Sequence, residues 1–263
     1  MQVQDSVVVI TGAARGIGEA AALGLASMGA KIVLCDLNEE KLKAVCNKII
    51  ENKGMAAYKA LDTTNEEEVR SAMDFAITGF GSINVVLACA GIVKDAFFVS
   101  PDKETGKVKK FMTTDQFQSV LAVNLTGVFL TLREAAIRMI DHNWKGVLIP
   151  VSSINKAGEL GQLNYASSKA AIALWPKILA GEFHAKAIKN IRVAAIAPGY
   201  VETPMLTSIK PEILAGIVSG IPIGRLVQTH EIISTIRFII ENEAIHGTTL
   251  EIAGGIIAKG LAK

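Results

Sequence analysis

Tyr165 and Lys169 stand four residues apart in Tyr165-Ala-Ser-Ser-Lys169. On a helix that spacing puts both side chains on one face. A phenol with a pKa near 10 is a poor proton donor and a scarce base at neutral pH. A neighbouring cation favours the phenolate and lowers that pKa, so the pair is suited to general acid–base chemistry. Alone, such a pair is common on helix surfaces. Here it follows an apolar run ending in Ser152-Ser153 and a glycine-containing loop. A second signal lies in Val7-Val-Val-Ile-Thr-Gly-Ala-Ala-Arg-Gly-Ile-Gly18. Gly12, Gly16 and Gly18, with Arg15 and Ile17 among them, directly follow a strand and open an alanine-rich helix. Glycines let the backbone turn sharply and approach a pyrophosphate, and the helix start offers free N–H groups to that anion. The spacing is GxxxGxG rather than GxGxxG; its place between strand and helix separates it from a plain tight turn. Asp36 ends the second apolar run. A carboxylate there accepts both hydroxyls of an adenosine ribose and repels a 2′-phosphate. Read alone, it serves equally as a cap for the helix starting near Asn38. Leu37 offers nothing to an extra phosphate, so NAD(H) is the expected cofactor. Arg15, the nearby cation, leaves NADP(H) open.

These residues need a scaffold, and the hydrophobic pattern supplies one. Short apolar runs recur at 7–10, 32–34, 56–58, 85–88, 147–151, 191–196 and 250–252. Most are continuous rather than alternating, as in strands buried on both faces. Between them lie segments of helical period: 39–52, with Leu42, Val45, Cys46 and Ile49 on one stripe; 66–80; and the longer 114–143 and 165–184. Strand–helix alternation with short loops predicts right-handed crossovers and a mostly parallel, seven-stranded, doubly wound α/β sheet of Rossmann type. No linker, repeat or low-complexity tract divides the chain, so residues 1–263 read as one dinucleotide-binding and catalytic domain. Residues 93–112 break the rhythm. Phe97-Phe98-Val99, the polar stretch 102–106 and Val108 read as a hairpin-like insertion, either a solvated excursion or a flap over a substrate mouth. Pro150 falls inside a strand that should be central, and Pro176 inside the helix after Lys169, where a kink is expected.

The glycine loop, Asp36, the Ser152-Ser153 strand end and Tyr165-x-x-x-Lys169 together resemble the short-chain dehydrogenase/reductase family over essentially the whole chain. Asn124-Leu-Thr-Gly-Val-Phe, Gly161-Gln-Leu-Asn-Tyr165 and Ile221-Pro-Ile-Gly-Arg225 are most similar to its bacterial 3-oxoacyl-acyl-carrier-protein reductases. The resemblance implies Tyr165 as general acid toward a carbonyl oxygen. It implies Lys169 as the group that holds the nicotinamide ribose and depresses the tyrosine pKa. Asn124 would help order a water-linked proton relay, and a serine after the fifth strand would bond the substrate oxygen. The family's spacing back from Tyr165 lands on Ser152, and its spacing forward from Gly146 on Ser153. A loop absorbs a one-residue deletion and a buried strand does not, so Ser153 is chosen. Asp62 and Thr63 match the adenine contact. Pro198, Gly199, Val201 and Thr203 match the turn that holds the carboxamide. The family's Asn-Asn-Ala-Gly is replaced here by Ala88-Cys89-Ala90-Gly91, which keeps the close approach at Gly91 but loses the amides. Ala253 replaces the usual aspartate before Gly254-Gly255. Two arginines that dock acyl carrier protein in well-studied members fall near Trp144 and Lys186, so only one positive charge remains.

Composition narrows the setting. Lys plus Arg number 27 and Asp plus Glu 25, a net charge of +2, so no global basic field points to nucleic acid. Three cysteines, Cys35, Cys46 and Cys89, without CxxC spacing, argue against a disulfide scaffold and for a reducing compartment. Mean hydropathy is +0.38, yet no uncharged apolar run reaches the ~18 residues of a membrane span. A cytoplasmic protein without membrane or metal partner is expected. The four histidines lack ligand spacing. The expected reaction is hydride transfer between a nicotinamide cofactor and a ketone or secondary alcohol, most plainly the reduction of a 3-oxoacyl thioester. An NAD-dependent secondary alcohol or 3-hydroxyacid dehydrogenase is the alternative enzyme, and a catalytically idle nucleotide-binding protein the alternative of another kind. Apolar runs in 114–143 and 165–184 exceed what sheet packing covers, and the family's habit implies a homotetramer.

Overall fold

The computed structural model describes residues 1–207 and 209–256. Strands run in the order β1 (Val7–Thr11), β2 (Lys31–Asp36), β3 (Met55–Ala60), β4 (Val85–Ala88), β5 (Val99–Pro101), β6 (Val108–Phe111), β7 (Gly146–Pro150), β8 (Ile191–Pro198) and β9 (Thr248–Ile252). All but β5 and β6 form one seven-stranded sheet, order β3-β2-β1-β4-β7-β8-β9, in which every pairing is parallel. The expected Rossmann-type architecture is therefore present, with no antiparallel member in the main sheet. The continuous apolar runs have the cause expected of them. Val8 and Ile10 pack with α1 (Gly16–Ser27), α2 (Glu39–Glu51) and α9 (Thr229–Glu241) on one face. Val7 and Val9 pack with α3 (Glu66–Phe80), α5 (Val128–Asp141) and α6 (Leu163–Ala185) on the other. Short helices α7 (Pro204–Thr207) and α8 (Pro211–Val218) follow β8, and Leu214, Ile217 and Val218 of α8 pack against a small cluster of Ile154, Ile221, Leu226, Ala253 and Ile256.

The helix expected over 114–143 is interrupted. α4 (Thr114–Leu121) opens on a capping box between Thr113 and Gln116, and a π-helical segment (Ala122–Gly127) joins it to α5. A π turn inserts one extra residue per turn, and such turns gather at functional sites. This one carries Asn124. The run Thr114–Asp141 has the length and hydropathy of a membrane span, but half of its apolar window is buried in the fold, through residues such as Val128, Leu132, Ala135 and Met139.

The two prolines are accommodated differently. In β7 the even-numbered residues donate toward β8: Gly146 N–H to the Asn190 carbonyl and Ser152 N–H to that of Ile196. Pro150 falls on this side, and the regular β7–β8 register stops at Leu148 and resumes as a single bridge at Val151. One missing donor at the last residue of the strand is thus isolated. Pro176 does not end α6; the Thr249 hydroxyl donates to the Ala173 carbonyl in the turn before it (2.7 Å).

Residues 99–111 form an antiparallel hairpin around Asp102 and Gly106 (φ +68). The Asp102 carboxylate accepts from the Glu104 and Thr105 N–H groups and pairs with Lys109 at 2.8 Å, which holds it below its ordinary pKa. Phe97, Phe98, Val99, Val108 and Phe111 all stand exposed, so the insertion is not simply a polar excursion. Exposed apolar side chains also mark α5 (Phe129, Ile137, Ile140) and α6 (Leu163, Leu174, Ile178).

One charged cluster is buried. Glu134 of α5 is 4% exposed and pairs with Arg133 (2.8 Å) and Arg138 (3.0 Å). Burial alone would raise its carboxyl; the two arginines hold it below 4.5 instead. Removing one partner of a buried pair costs about 3–5 kcal/mol. Arg138 keeps Asp74 and Arg133 keeps Glu66. Glu134→Ala is therefore expected to cost less, about 2–3 kcal/mol in urea unfolding at pH 7. The contribution is complete above 4.5 and fades as pH falls through the lowered native value. A difference that persists unchanged at pH 2 would contradict the assignment.

Candidate active site

The nucleotide end is built from strand ends. β1 stops at Thr11, and the chain turns through Gly12 (φ +70) and Gly16 (φ +59) into α1. A Cβ at Gly12 would stand 2.8 Å from the Ala90 backbone, and one at Gly18 2.1 Å from the Gly12 carbonyl oxygen. Arg15 is the N-cap of α1 with its side chain exposed, and Ile17 is half-buried. Asp36, the last residue of β2, accepts from Ala14 N–H and Asn38 N–H, both at 3.2 Å. The cap of α2 is Asn38, which accepts from Lys41 N–H, so the capping alternative for Asp36 is not realised. Leu37 points outward. Asp62 accepts from the N–H and hydroxyl of Thr64 (2.8 Å each), and Thr63 is buried beneath Gly127, where a Cβ would approach its Oγ1 to 2.8 Å. Cys89 is partly buried, and Ala90 N–H reaches the Thr11 hydroxyl at 3.4 Å. Gly199, just after Pro198, donates to the Ile252 carbonyl, and a Cβ on it would stand 2.8 Å from the Ala253 Cα. Val201 is buried and bridged to Val227, and the Thr203 methyl comes within 3.8 Å of the Cβ position of Gly16. Pro198–Thr203 thus returns to the glycine loop. A loop with no room for a Cβ at Gly12 or Gly18, a helix start that the Arg15 side chain does not cap and a carboxylate at the next strand end fit a dinucleotide.

The second half meets it at the C-terminal end of β7. Tyr165 lies in the first turn of α6 and is hydrogen-bonded to Ser153. The Ser153 hydroxyl also accepts from Asn155 N–H (3.2 Å). Ser152 is turned away: its hydroxyl donates to the Lys169 carbonyl (2.7 Å). The geometry thus places Ser153, not Ser152, beside the phenol. Lys169 is 4% exposed; its Nζ donates to the Val151 carbonyl (2.8 Å) and lies 5.6 Å from the Tyr165 ring centre. A Cβ at Gly91 would come within 3.6 Å of that Nζ and 3.3 Å of Asn124 Oδ1. The Asn124 amide is fully buried, accepting from Ile92 N–H (2.8 Å) and donating to the Ile92 carbonyl (2.9 Å). Its side chain thereby ties the π turn to the loop after Gly91, and Nδ2 also reaches the Ser168 hydroxyl at 3.5 Å.

The profile of the short chain dehydrogenases matches residues 6–213. The chain belongs to this family. It is a Rossmann-type, NAD(P)-dependent oxidoreductase. The 3-oxoacyl-[acyl-carrier-protein] reductase of Thermotoga maritima is 31% identical over 264 residues, covering 98% of this chain and 100% of the relative. The (3R)-3-hydroxyacyl-CoA dehydrogenase of Canis lupus familiaris is 28% identical over 97% of this chain and 98% of its own. Among solved structures, 7α-hydroxysteroid dehydrogenase complexed with NADH and 7-oxo glycochenodeoxycholic acid superposes with a TM-score of 0.85. It is 29% identical, and the match covers 97% of this chain and 96% of that one.

Electrostatics in this short chain dehydrogenase depart from expectation at one point. Burial raises the Tyr165 pKa above 10; the Ser153 hydrogen bond opposes that rise, while Cys89 and Asp95 add to it. Lys169 is itself desolvated, and its Nζ is held by the Val151 carbonyl. Burial pushes the lysine down to about 8. The Cys89 thiol is pushed up to about 11 by burial and behaves as a small buried group. Asn164 was not singled out by the sequence reading. It is fully buried, donates to the Lys94 and Gln116 carbonyls (3.1 and 3.0 Å) and accepts from Tyr165 N–H (2.8 Å). An asparagine at a helix start, just before the tyrosine, was the available signal.

Proposed function

We propose that this chain reduces the keto group of 3-oxoacyl thioesters with NADH in the cytoplasm. The observation that carries the reading is the meeting of Ser153, Tyr165 and Lys169 beside the Gly12–Gly18 loop and Asp36. Gly12, Gly16 and Gly18 would hold the pyrophosphate, Asp36 the adenosine ribose, and Lys169 the nicotinamide ribose. The nicotinamide, when bound, supplies hydride to the substrate carbon. Ser153 donates a hydrogen bond to the substrate oxygen, and Tyr165 delivers the proton that oxygen takes up. Lys169, buried against Val151, supplies positive charge when a negative oxygen develops on the phenol. A groove of about 650 Å³ runs between Ala96–Phe98, the 156–161 loop and the start of α6, next to Tyr165. Its apolar lining suits the chain beyond a carbonyl.

The test is steady-state turnover of a short 3-oxoacyl thioester with NADH and NADPH compared. Turnover on no ketone, with NADH still raising the melting temperature, would favour an idle nucleotide-binding protein. An NAD-dependent 3-hydroxyacid or secondary alcohol dehydrogenase is the second reading. It is favoured by Trp144, which stacks on His142 (4.3 Å between ring centres) where a carrier-docking arginine would stand. Coenzyme A thioesters are accordingly expected to equal or surpass carrier-bound ones. For cofactor choice, Asp36→Ala removes a charged acceptor worth about 1.5–3 kcal/mol, so NADH affinity should fall by about 10–100-fold and discrimination against NADPH with it. A wild type with higher kcat/KM for NADPH would sink the NADH preference.

A homotetramer is part of the same reading. The apolar side chains exposed on α5 and α6 lie on neighbouring helices of one face and suit pairing about a two-fold axis. Light scattering giving a concentration-independent monomer would refute it.

A further inference from the structure

Gln162 is the residue from which the chain enters α6, and both ends of its amide are used. Nε2 donates to Asp95 Oδ2 (3.0 Å), at the base of the hairpin insertion. Oε1 accepts from Asn155 Nδ2 (2.9 Å), in the 3-10 turn that follows Ser153. Asn155 N–H donates in turn to Ser153 Oγ (3.2 Å). With one lone pair fixed in this way, the Ser153 hydroxyl is restricted in direction, and Tyr165 is its hydrogen-bond partner. The seam is closed on both sides of Gln162. Ala96 N–H donates to the Gly161 carbonyl (2.9 Å), and Asn164 Nδ2 to that of Lys94 (3.1 Å). Neighbouring charges are otherwise engaged: Lys94 pairs with Asp115 at 3.5 Å and Lys156 with Glu251 at 2.7 Å.

We propose that Gln162 is a positioning residue: clamped between Asp95 and Asn155, it holds the turn that aims the Ser153 hydroxyl at Tyr165 and the substrate oxygen. Asp95 is then the anchor, and the base of the insertion becomes part of the catalytic scaffold. The inference rests on the ketone-reductase reading of the site. It differs from a substrate-contact role, because both ends of the Gln162 amide are already held, by Asp95 and Asn155.

The test exploits the direction of the bonds. Gln162→Glu places a second carboxylate against Asp95 and breaks the clamp. Asp95→Asn added to it restores a donor–acceptor pair, since the amide so introduced can donate to the new glutamate, which still accepts from Asn155. With NADH and a short 3-oxoacyl thioester, Gln162→Glu should lose about tenfold in kcat with little change in either KM, and the double variant should recover most of the loss. Crystal structures of the same proteins read the clamp without any assay: Ser153 Oγ should leave Asn155 N–H in the single variant and return in the double one. Should Gln162→Glu not fold, Gln162→Met keeps the shape without either bond and must show the same kcat loss at an unchanged melting temperature. A single variant with wild-type kcat, a loss confined to KM, or a double variant without recovery would overturn the proposal. A wild type that reduces no ketone would overturn the functional reading instead, and the crystal structures would still decide the clamp.

Discussion

Tyr165→Phe is expected to lower turnover by about 10²–10⁴-fold, the usual contribution of a positioned acid or base. The substitution removes one oxygen and keeps the ring. The first turn of α6 stays fixed through Asn164, which holds the Tyr165 N–H and two distant carbonyls. Folding and NADH affinity should therefore survive, since Gly12, Gly16, Gly18 and Asp36 are untouched. No other phenol is equipped to substitute: four residues beyond Tyr58 stands Asp62, and beyond Tyr200 Pro204. The check is turnover, with circular dichroism and NADH binding measured on the same sample. A folded, NADH-binding variant with more than about half the wild-type rate would mean that the proton comes from elsewhere, and the mechanism would have to be abandoned.

Lys169→Met should act in two opposite ways. Turnover and NADH affinity should both fall, turnover by at least about 10²-fold, because the proposed ribose contact and the positive charge are lost together. Stability should move in the other direction as pH changes. The native lysine has its pKa near 8 against 10.5 for an exposed one. Between those values the unfolded chain holds a proton that the native chain has released, so wild-type stability gains with rising pH. A shift of this size is worth about 3 kcal/mol. The cysteines and Tyr165 titrate in the same range with the opposite sign, so the quantity to measure is the difference between wild type and Lys169→Met. That difference should move in favour of wild type from pH 8 to about 10.5. A flat difference would mean that the buried amine is not desolvated.

Much of this arrangement was legible before any coordinates. Val7–Ile10 and Val85–Ala88 are apolar without interruption because sheet faces on both sides are covered, and such runs announce central parallel strands. The glycine loop was legible because its position after β1 matters more than its spacing. The choice of Ser153 rested on the rigidity of β7, even though counting from Tyr165 pointed to Ser152. What was not legible depends on partners distant in sequence. Nothing in residues 114–143 signals a π turn, since its residues also suit an α-helix; the buried Asn124 amide meets Ile92 only after folding. Glu134 looks like an outward charge until Arg133 and Arg138 close over it. The raised pKa of Tyr165 was not legible from its spacing to Lys169, because spacing does not reveal how deeply the phenol is buried.

The π-helical turn makes this part of the chain unusually sensitive to length as well as to composition. α4 and α5 are in phase with their surroundings only because one surplus residue is taken up between Ala122 and Gly127. If these six residues relaxed into a regular α-helix with their number unchanged, one end would rotate against the other by about 100°. Either Asn124 would swing away from Ile92, or Val128, Leu132 and Ala135 would leave the sheet. Asn124 and Gly127 are fixed by their buried contacts, and an added residue would put α5 out of phase with the sheet. Among descendants of this gene, insertions should accumulate in the hairpin loop and be purged from these six positions.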